Sequence, residues 1–152
     1  MEPKEVVEQL FEAESRGDVD GIVRLMHEDV ELNLSCRKVF GTDAKTTVRG
    51  REAAQEVYRE DVPRRGSAFR IRATRMICES ATVAAEWIAH CGPKGEDIRR
   101  GVDVFVVRDG EILQGAVYLD LTTVPNLNPR EAGPVGPSSE RAESTRTRRS
   151  EE

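Results

Sequence analysis

The sequence is poor in aromatic residues, cysteines and histidines, and each shortage excludes a class of protein. Aromatic residues make up only 5% of the chain, so its core must be mainly aliphatic. Three widely spaced cysteines, Cys36, Cys78 and Cys91, form no Cys-x-x-Cys pair, which excludes a zinc knuckle or a dithiol redox motif. Because the other soft ligands are only His27 and His90, we expect no metal site.

Long apolar runs, basic stretches and glycine-rich loops are also missing. No apolar run approaches the ~20 residues that cross a bilayer, and residues 1–5 lack the apolar stretch of a signal peptide. The formal net charge is -5, so a nucleic-acid partner is not expected. Without a phosphate-binding glycine-rich loop, we expect no nucleotide cofactor, and no cofactor of any kind is predicted. The default location is cytoplasmic, with no membrane partner.

Composition divides the chain into a domain at 1–124 and a tail at 125–152. The tail contains no aromatic residue and consists mostly of Pro, Gly, Ser, Arg and Glu. Such a segment cannot bury enough apolar surface to offset the entropy lost on ordering. The sequence therefore predicts one folded domain followed by a disordered tail.

The domain begins with helical periodicity and continues with strands. Apolar residues recur at helical spacing over 3–17, 18–26 and 51–60, and alternation over 30–34 predicts a strand. Four further strands are predicted at 68–79, 81–91, 98–108 and 111–122, and 37–47 has no clear structure. The last two strands are joined by Asp109-Gly110, a tight-hairpin signal. Three helices before an antiparallel meander indicate an α+β fold with the helices on one face of a curled sheet.

Three parts of the sequence carry a family resemblance. They are residues 6–30, with Gly17-Asp18-Val19-Asp20-Gly21-Ile22-Val23; the segment Arg49-Gly50-Arg51-Glu52-Ala53-Ala54; and residues 102–120, with Val102-Asp103-Val104-Phe105 and Asp109-Gly110-Glu111-Ile112. In these parts the chain resembles the superfamily of ketosteroid isomerases and SnoaL-like polyketide cyclases. The resemblance implies a nuclear-transport-factor-like cone, with three N-terminal helices in the concave face of a curved, mainly antiparallel sheet.

The family's catalytic positions are only partly filled. The resemblance puts Leu10 at the place of the isomerases' helix-one tyrosine and Leu34 at that of their general-base aspartate. It puts Glu86, Ala84 and Val117 at the Asp-Arg-Asp places of the limonene-epoxide hydrolases, and Val117 also at the acid of the cyclases. Asp103 matches the isomerases' protonated oxyanion-hole aspartate, a carboxylic acid kept neutral by its apolar site. The predicted ligand pocket contains Tyr58, His90, Leu10, Leu34, Ala84, Phe105 and Val117.

The hairpin between the second and third meander strands offers a candidate carboxylate pair. A turn centred on Lys94-Gly95 would place Cys91 opposite Ile98 and Glu86 opposite Asp103, with Cβ atoms ~5 Å apart. Two carboxylates so close in an apolar pocket would share a proton and form an acid/base pair. Strand alternation alone would instead put Glu86 on the outer face in water, whereas the resemblance points both carboxylates inward. We take Asp103 and Glu86 as the predicted catalytic residues.

Other charged residues keep two interpretations. His90 is either a general base or a solvated residue at the hairpin end. Three arginines, Arg70, Arg72 and Arg75, either lie on a solvated strand or hold an anionic substrate group.

Together these residues predict a cofactor-independent enzyme. It would isomerise or cyclise an apolar polyketide-, steroid- or terpenoid-like substrate, or open its epoxide, by acid/base chemistry. The alternative is a non-catalytic ligand-binding or dimeric accessory protein of the same fold. A homodimer is expected because an apolar patch on the outer sheet face would otherwise be exposed. The predicted patch contains Trp87, Val83, Ala85, Val104 and Val106.

Overall fold

Helix α1 (Pro3–Arg16) opens the fold and has clear start and stop signals. A capping box links Glu2 and Glu5, and Pro3 occupies the first turn, where its missing N–H costs nothing. Gly17 ends the helix in the left-handed conformation, with φ 65°. Helix α2 (Val19–Arg24) follows at once, capped by the Asp18 carboxylate, which accepts from the Gly21 backbone N–H at 2.8 Å.

The computed structural model describes residues 1–40 and 45–124. The remaining elements are β1 (Met26–Asn33), α3 (Arg37–Phe40), β2 (Thr47–Arg49), α4 (Arg51–Asp61), a 3₁₀ turn (Val62–Arg65), β3 (Arg70–Glu79), β4 (Thr82–Cys91), β5 (Asp97–Arg108), β6 (Glu111–Leu119) and a second 3₁₀ turn (Leu121–Thr123). The three predicted helices and five predicted strands are all present. The short helix α3 lies in the stretch 37–47 that was left without a prediction, and β2, which begins at the last residue of that stretch, was not predicted. The predicted tail at 125–152 lies outside the described residues.

The strands form one curved, six-stranded sheet in the order β2-β1-β6-β5-β4-β3. The parallel pair β1–β6 joins the N-terminal strand to the end of the meander, and the other pairings are antiparallel. The predicted α+β cone with a mainly antiparallel sheet is confirmed. Within the described residues, no helix is long and apolar enough to cross a membrane.

The core lies between the concave face of the sheet and helices α1, α2 and α4. Helix α1 contributes the apolar face that the sequence predicts, and the sheet contributes alternate residues of β4 and β5. Burial of these aliphatic side chains stabilises the packing of helix on sheet. The central core residues are Val6, Val7, Leu10, Phe11, Val83, Ala85, Phe105 and Ile112.

The β4–β5 register differs from the predicted one by one residue. Cys91 lies opposite Asp97, so the connection is one residue shorter than a turn that pairs Cys91 with Ile98. A shift of one residue moves a side chain to the other face of the sheet. Asp103 therefore faces Ala85, and Glu86 faces Val102.

The prediction that Glu86 points into the cone is consequently wrong. The side chain of Glu86 is 44% exposed on the convex face and pairs with Arg75 at 2.7 Å. The plain alternation of β4, which places its apolar residues in the core, describes the strand correctly. The predicted outer patch is wrong in three of its five members for the same reason, because Trp87, Val83 and Ala85 are buried on the concave side. The other two, Val104 and Val106, lie on the convex face.

Candidate functional site

A cavity of about 510 Å³ opens between the concave sheet face and the ends of α1 and α4. Its inner wall is apolar, and its charged residues include strongly exposed ones such as Arg64 and Asp97. The apolar lining consists of Leu32, Leu34, Phe69, Ile71, Trp87, Ala89, Phe105, Val117 and Leu119. The charged lining consists of Glu14, Arg37, Asp61, Arg64, Arg65, Asp97, Arg99 and Asp103. An apolar cleft of this size with a few polar groups is typical of a small-molecule site.

Asp103 is the buried acid of this cavity. It lies on β5 between Gly101 and Phe105, and only 6% of the residue is exposed. The indole Nε1–H of Trp87 donates to its Oδ1 at 2.7 Å. Among the described residues Oδ2 has no hydrogen-bond partner, and no fully buried side-chain oxygen or nitrogen there lacks one. Oδ2 is therefore the oxygen that faces the open cavity.

Burial changes the ionisation of Asp103. Desolvation and the nearby charge of Glu14 raise its pKa to about 8, although the Trp87 hydrogen bond and Arg65 act in the opposite direction. Desolvation is the largest of these effects on the pKa, because an ionised carboxylate is poorly stabilised in an apolar wall. At neutral pH the group is mostly a neutral carboxylic acid, with a proton to donate from Oδ2.

Gly101 lets the indole of Trp87 reach Asp103. Gly101 is the cross-strand partner of Trp87, and a Cβ atom at this position would collide with the indole and with the backbone of Tyr118. Because Gly101 has no side chain, the indole can lie directly against the backbone of β5 at this position. The Trp87–Asp103 hydrogen bond thus depends on a glycine two residues before the acid.

A second carboxylate, Glu14, reaches the cavity from the last turn of α1. Its Oε2 lies 3.5 Å from Nη1 of Arg65, and the two side chains are 10% and 23% exposed. Burial raises the pKa of Glu14, and Arg65 partly opposes this effect. The guanidinium also lies 5.0 Å from the ring centre of Phe69 and 5.9 Å from that of Tyr58, which adds cation–π attraction.

Tyr58 supplies a neutral hydroxyl to the same cavity. Burial and the charge of Glu14 raise its pKa, so the phenol keeps its proton. Cys36 also lines the cavity, and burial raises the pKa of its thiol to about 11. A protonated thiol is a weak nucleophile, so Cys36 acts as lining.

Arg37 lies in the wall of the cavity and is held by three contacts. Its guanidinium binds both oxygens of Asp61, at 2.9 and 3.0 Å, and donates to the Lys45 carbonyl at 2.6 Å. These contacts attach the residues after β1 to the end of α4. Within the part of the chain that the structure describes, no group of three His, Cys, Asp or Glu residues could hold a metal ion.

The model of the SnoaL-like domain family matches residues 7–114. The chain belongs to the SnoaL-like family. No curated protein matches it in sequence.

Solved structures of low sequence identity share the SnoaL-like fold. A loop-truncated variant of IdmH has a TM-score of 0.67 and 20% identity, over 80% of this chain and 95% of that one. A ketosteroid-isomerase-like protein from Kribbella flavida has a TM-score of 0.63 and 16% identity, over 91% of each chain. SalBIII, an epoxide hydrolase/cyclase-like enzyme in pyran ring formation in the polyether salinomycin, has a TM-score of 0.61 and 23% identity. The match covers 80% of this chain and 92% of SalBIII.

The structure brings together five of the nine predicted site residues of this SnoaL-like chain. Asp103, Tyr58, Leu34, Phe105 and Val117 all line the cavity.

The other four predicted residues do not line the cavity. Glu86 and Ala84 lie on the convex face, because the β4–β5 register pairs Asp103 with Ala85 and thus puts the even-numbered residues of β4 on the opposite face from Asp103. His90 also lies outside the lining, and its Nδ1 is 3.3 Å from the Gly95 carbonyl in the hairpin turn. Leu10 is 1% exposed in the core, and the helix-one residue that lines the cavity is Glu14, one turn further on.

The predicted anion-binding arginines are likewise outside the cavity. Arg70, Arg72 and Arg75 are exposed along β3, as the solvated interpretation has it. The arginines that line the cavity come from α3, the first 3₁₀ turn and the start of β5.

Sequence reasoning missed Glu14, Arg65 and the role of Trp87. A signal for Glu14 was present, since it continues the apolar helical face of Val7, Leu10 and Phe11. A carboxylate on that face must be buried and needs a partner. For Arg65 no local signal exists, because its partner lies about fifty residues away in the sequence.

Proposed function

We propose that this SnoaL-like protein is a cofactor-independent acid/base enzyme acting on a small, largely apolar molecule, by isomerisation or cyclisation. One observation carries the proposal. A carboxylic acid that is neutral at pH 7, Asp103, presents Oδ2 to an apolar cavity that also holds a second carboxylate, Glu14. Two titratable groups in different environments are the usual basis for separate acid and base roles.

Asp103 acts as the acid in this proposal. Its Oδ2 proton is donated to a substrate carbonyl or ether oxygen as negative charge develops there. The Trp87 indole fixes the carboxyl plane through Oδ1, which leaves Oδ2 aimed at the ligand. The Tyr58 hydroxyl is the second candidate donor to that oxygen.

Glu14 acts as the base. Arg65 lies beside its Oε2, which supports the ionised form in a buried position. The other oxygen, Oε1, is the atom we assign to accept a proton from substrate carbon or from a hydroxyl nucleophile. The low-dielectric cavity strengthens the interactions of the substrate with both Asp103 and Glu14. In this proposal the two side chains carry the proton transfers, and no cofactor takes part.

The related structures are consistent with this chemistry at the level of fold. SalBIII acts in pyran ring formation, which is a cyclisation, and the Kribbella flavida protein is isomerase-like. Among the substrates that the sequence suggests, a polyketide-, steroid- or terpenoid-like molecule suits the apolar wall. Cytoplasmic location remains part of the proposal.

Ligand binding without turnover is the second candidate function. Leu34 and Val117, which stand at catalytic positions of the isomerases and cyclases, line the cavity as apolar residues. A chain that kept the cone but lost the reaction would show such replacements.

The test uses a β,γ-unsaturated cyclic ketone, whose isomerisation to the conjugated enone is followed by ultraviolet absorbance. Wild-type protein should accelerate the reaction. Asp103→Asn should lower the rate about a hundredfold or more, as removal of an oxyanion donor does, and Glu14→Gln by a similar factor. The rate should fall as the pH rises through about 8, where Asp103 loses its proton.

Glu86→Gln is the matched control, because it removes a carboxylate on the convex face of the neighbouring strand. It should keep the wild-type rate. Full activity in Asp103→Asn would contradict the acid role. Tight binding of naphthol, an apolar enol mimic, without any acceleration of the ketone reaction would favour the binding function.

We also propose a homodimer through the convex sheet face, at a patch that shares only Val104 and Val106 with the predicted one. Two apolar side chains there, Ile77 and Tyr118, are each 57% exposed. Half-buried valines of β5 lie between them on the same face, Val102, Val104 and Val106. A symmetric pairing of two such faces would remove this surface from water.

Sedimentation at micromolar concentration should give about twice the chain mass for the wild type. Val104→Arg, which puts a charge in the centre of this face, should give a monomer with the fold retained. Glu8→Arg introduces the same side chain on the exposed face of α1 and should stay dimeric. A monomeric wild type would rule out the dimer.

A further inference from the structure

Four arginines line the cavity, and they differ in how closely carboxylates approach them. Arg37 lies 2.9 Å from Asp61, Arg64 lies 3.2 Å from Glu60, and Arg65 lies 3.5 Å from Glu14. The carboxylate nearest to Arg99 is Asp97, at 4.0 Å, and the Asp97 side chain is 56% exposed. Among the described residues, Arg99 is thus the cavity arginine with the weakest ionic partner.

The remaining contacts of Arg99 are weak as well. Its Nη1 donates to the carbonyls of Ile98 and Thr123, both at 3.4 Å, which is longer than the usual 2.7–3.2 Å range for N–H···O bonds. A guanidinium has five N–H donors, and within the described residues Nε and Nη2 make no hydrogen bond.

Arg99 is nevertheless largely withdrawn from water. Its side chain is only 13% exposed, and no fully buried side-chain nitrogen of the described residues lacks a partner. The spare N–H groups therefore face open space, and Arg99 is part of the cavity wall. A guanidinium in this position would be stabilised most by an anion that enters the same cavity.

Arg99 and Asp103 share the concave face of β5. They are four residues apart with Gly101 between them, which corresponds to about 13 Å along an antiparallel strand. Between Arg99 and Asp103 the wall is apolar, formed by Trp87, Ala89, Val117 and Leu119. The cavity therefore has an anion-binding group at one end of an apolar wall and a neutral acid at the other.

We propose that Arg99 binds the carboxylate of the substrate, so that the ligands of this protein are amphipathic monocarboxylic acids. The apolar body lies along β5, and its reacting oxygen meets Asp103. A singly charged carboxylate suits one guanidinium, since a phosphate dianion would leave a charge uncompensated beside Asp97. This inference rests on the proposed ligand-binding role of the cavity and names its substrate class.

The experiment compares decanoate with decanol, which have the same chain length and differ in charge. Binding is followed by the fluorescence of Trp87, the single tryptophan of the chain, which lines the cavity. In Arg99→Gln the preference for decanoate over decanol should fall about tenfold from its wild-type value, the size expected for a charge-assisted hydrogen bond. Decanol affinity should stay unchanged, and Arg99→Lys should keep part of the preference.

Arg100→Gln is the matched control, because Arg100 is exposed and lies opposite Ile88 on the convex face. It should keep the wild-type preference. An equal preference in wild type and Arg99→Gln, or an equal loss in Arg100→Gln, overturns the assignment. If decanol binds and decanoate gains nothing from its charge, only the carboxylate inference fails. If neither probe binds to the wild type, the proposed ligand cavity fails with it.

Discussion

Asp103→Asn should make the protein more stable than the wild type at pH 8, by an amount that shrinks as the pH falls to about 4. The folded protein holds a proton on Asp103 up to a pKa of about 8, whereas the unfolded chain releases it near 3.8. Between these values the native state binds more protons, so the stability of the wild type falls with rising pH. The gain for the variant at pH 8 should be several kcal/mol, on the order of 5.

The asparagine keeps the acceptor that Trp87 needs, because its side-chain oxygen can replace Oδ1. Urea unfolding at pH 4, 6 and 8 measures the effect as a difference between two stability curves. Glu86→Gln, on the exposed convex face, should change the free energy of unfolding by less than about 1 kcal/mol. Parallel curves for Asp103→Asn and wild type would mean that Asp103 ionises normally, and the acid role would be lost with that result.

Arg65→Met should destabilise the fold by about 3 kcal/mol or more at pH 7. Removing one partner of a buried ion pair leaves the other as an uncompensated charge, and Glu14 lies in the cavity wall with a 10% exposed side chain. The loss should decrease at low pH, where Glu14 takes up a proton. Thermal and urea unfolding both measure it.

Two further variants separate charge from packing at this site. Glu14→Gln combined with Arg65→Met removes both charges and should recover much of the loss. The loss of stability that remains in the double variant reflects the packing of the Arg65 guanidinium over Phe69. Arg64→Met is the control, since the side chain of Arg64, the residue next to Arg65, is 68% exposed. This substitution should cost less than about 1 kcal/mol. Equal effects of the Arg64 and Arg65 variants would contradict a buried pair.

Much of the fold follows from patterns within single elements. The face of Val6, Val7, Leu10 and Phe11, ended by Gly17, suffices for the first helix because periodicity and caps act over a few residues. The Asp109-Gly110 turn likewise joins β5 to β6 as predicted. For β1, alternation reveals a strand but not its parallel partner, β6, which is distant in sequence.

The site was only partly predictable for the same physical reason. Asp103 could be singled out because the family resemblance matched it to the buried acid of the isomerases, although strand alternation alone did not place it inside. Its supposed partner Glu86 depended on a hairpin register, and one residue of turn length moved that side chain into water. The partner that the cavity provides, Glu14, comes from a helix about ninety residues earlier in the sequence.

By itself, the sequence determined the helices, the meander, the family and one buried acid, since these depend on local spacing and on residue types at matched positions. Only the tertiary structure decided what surrounds that acid. The approach of Trp87 over Gly101, the Arg65–Glu14 pair and the position of Arg99 all join segments distant in sequence. Burial depends on the packed neighbours from every element at once, and burial raises the pKa of Asp103 to about 8.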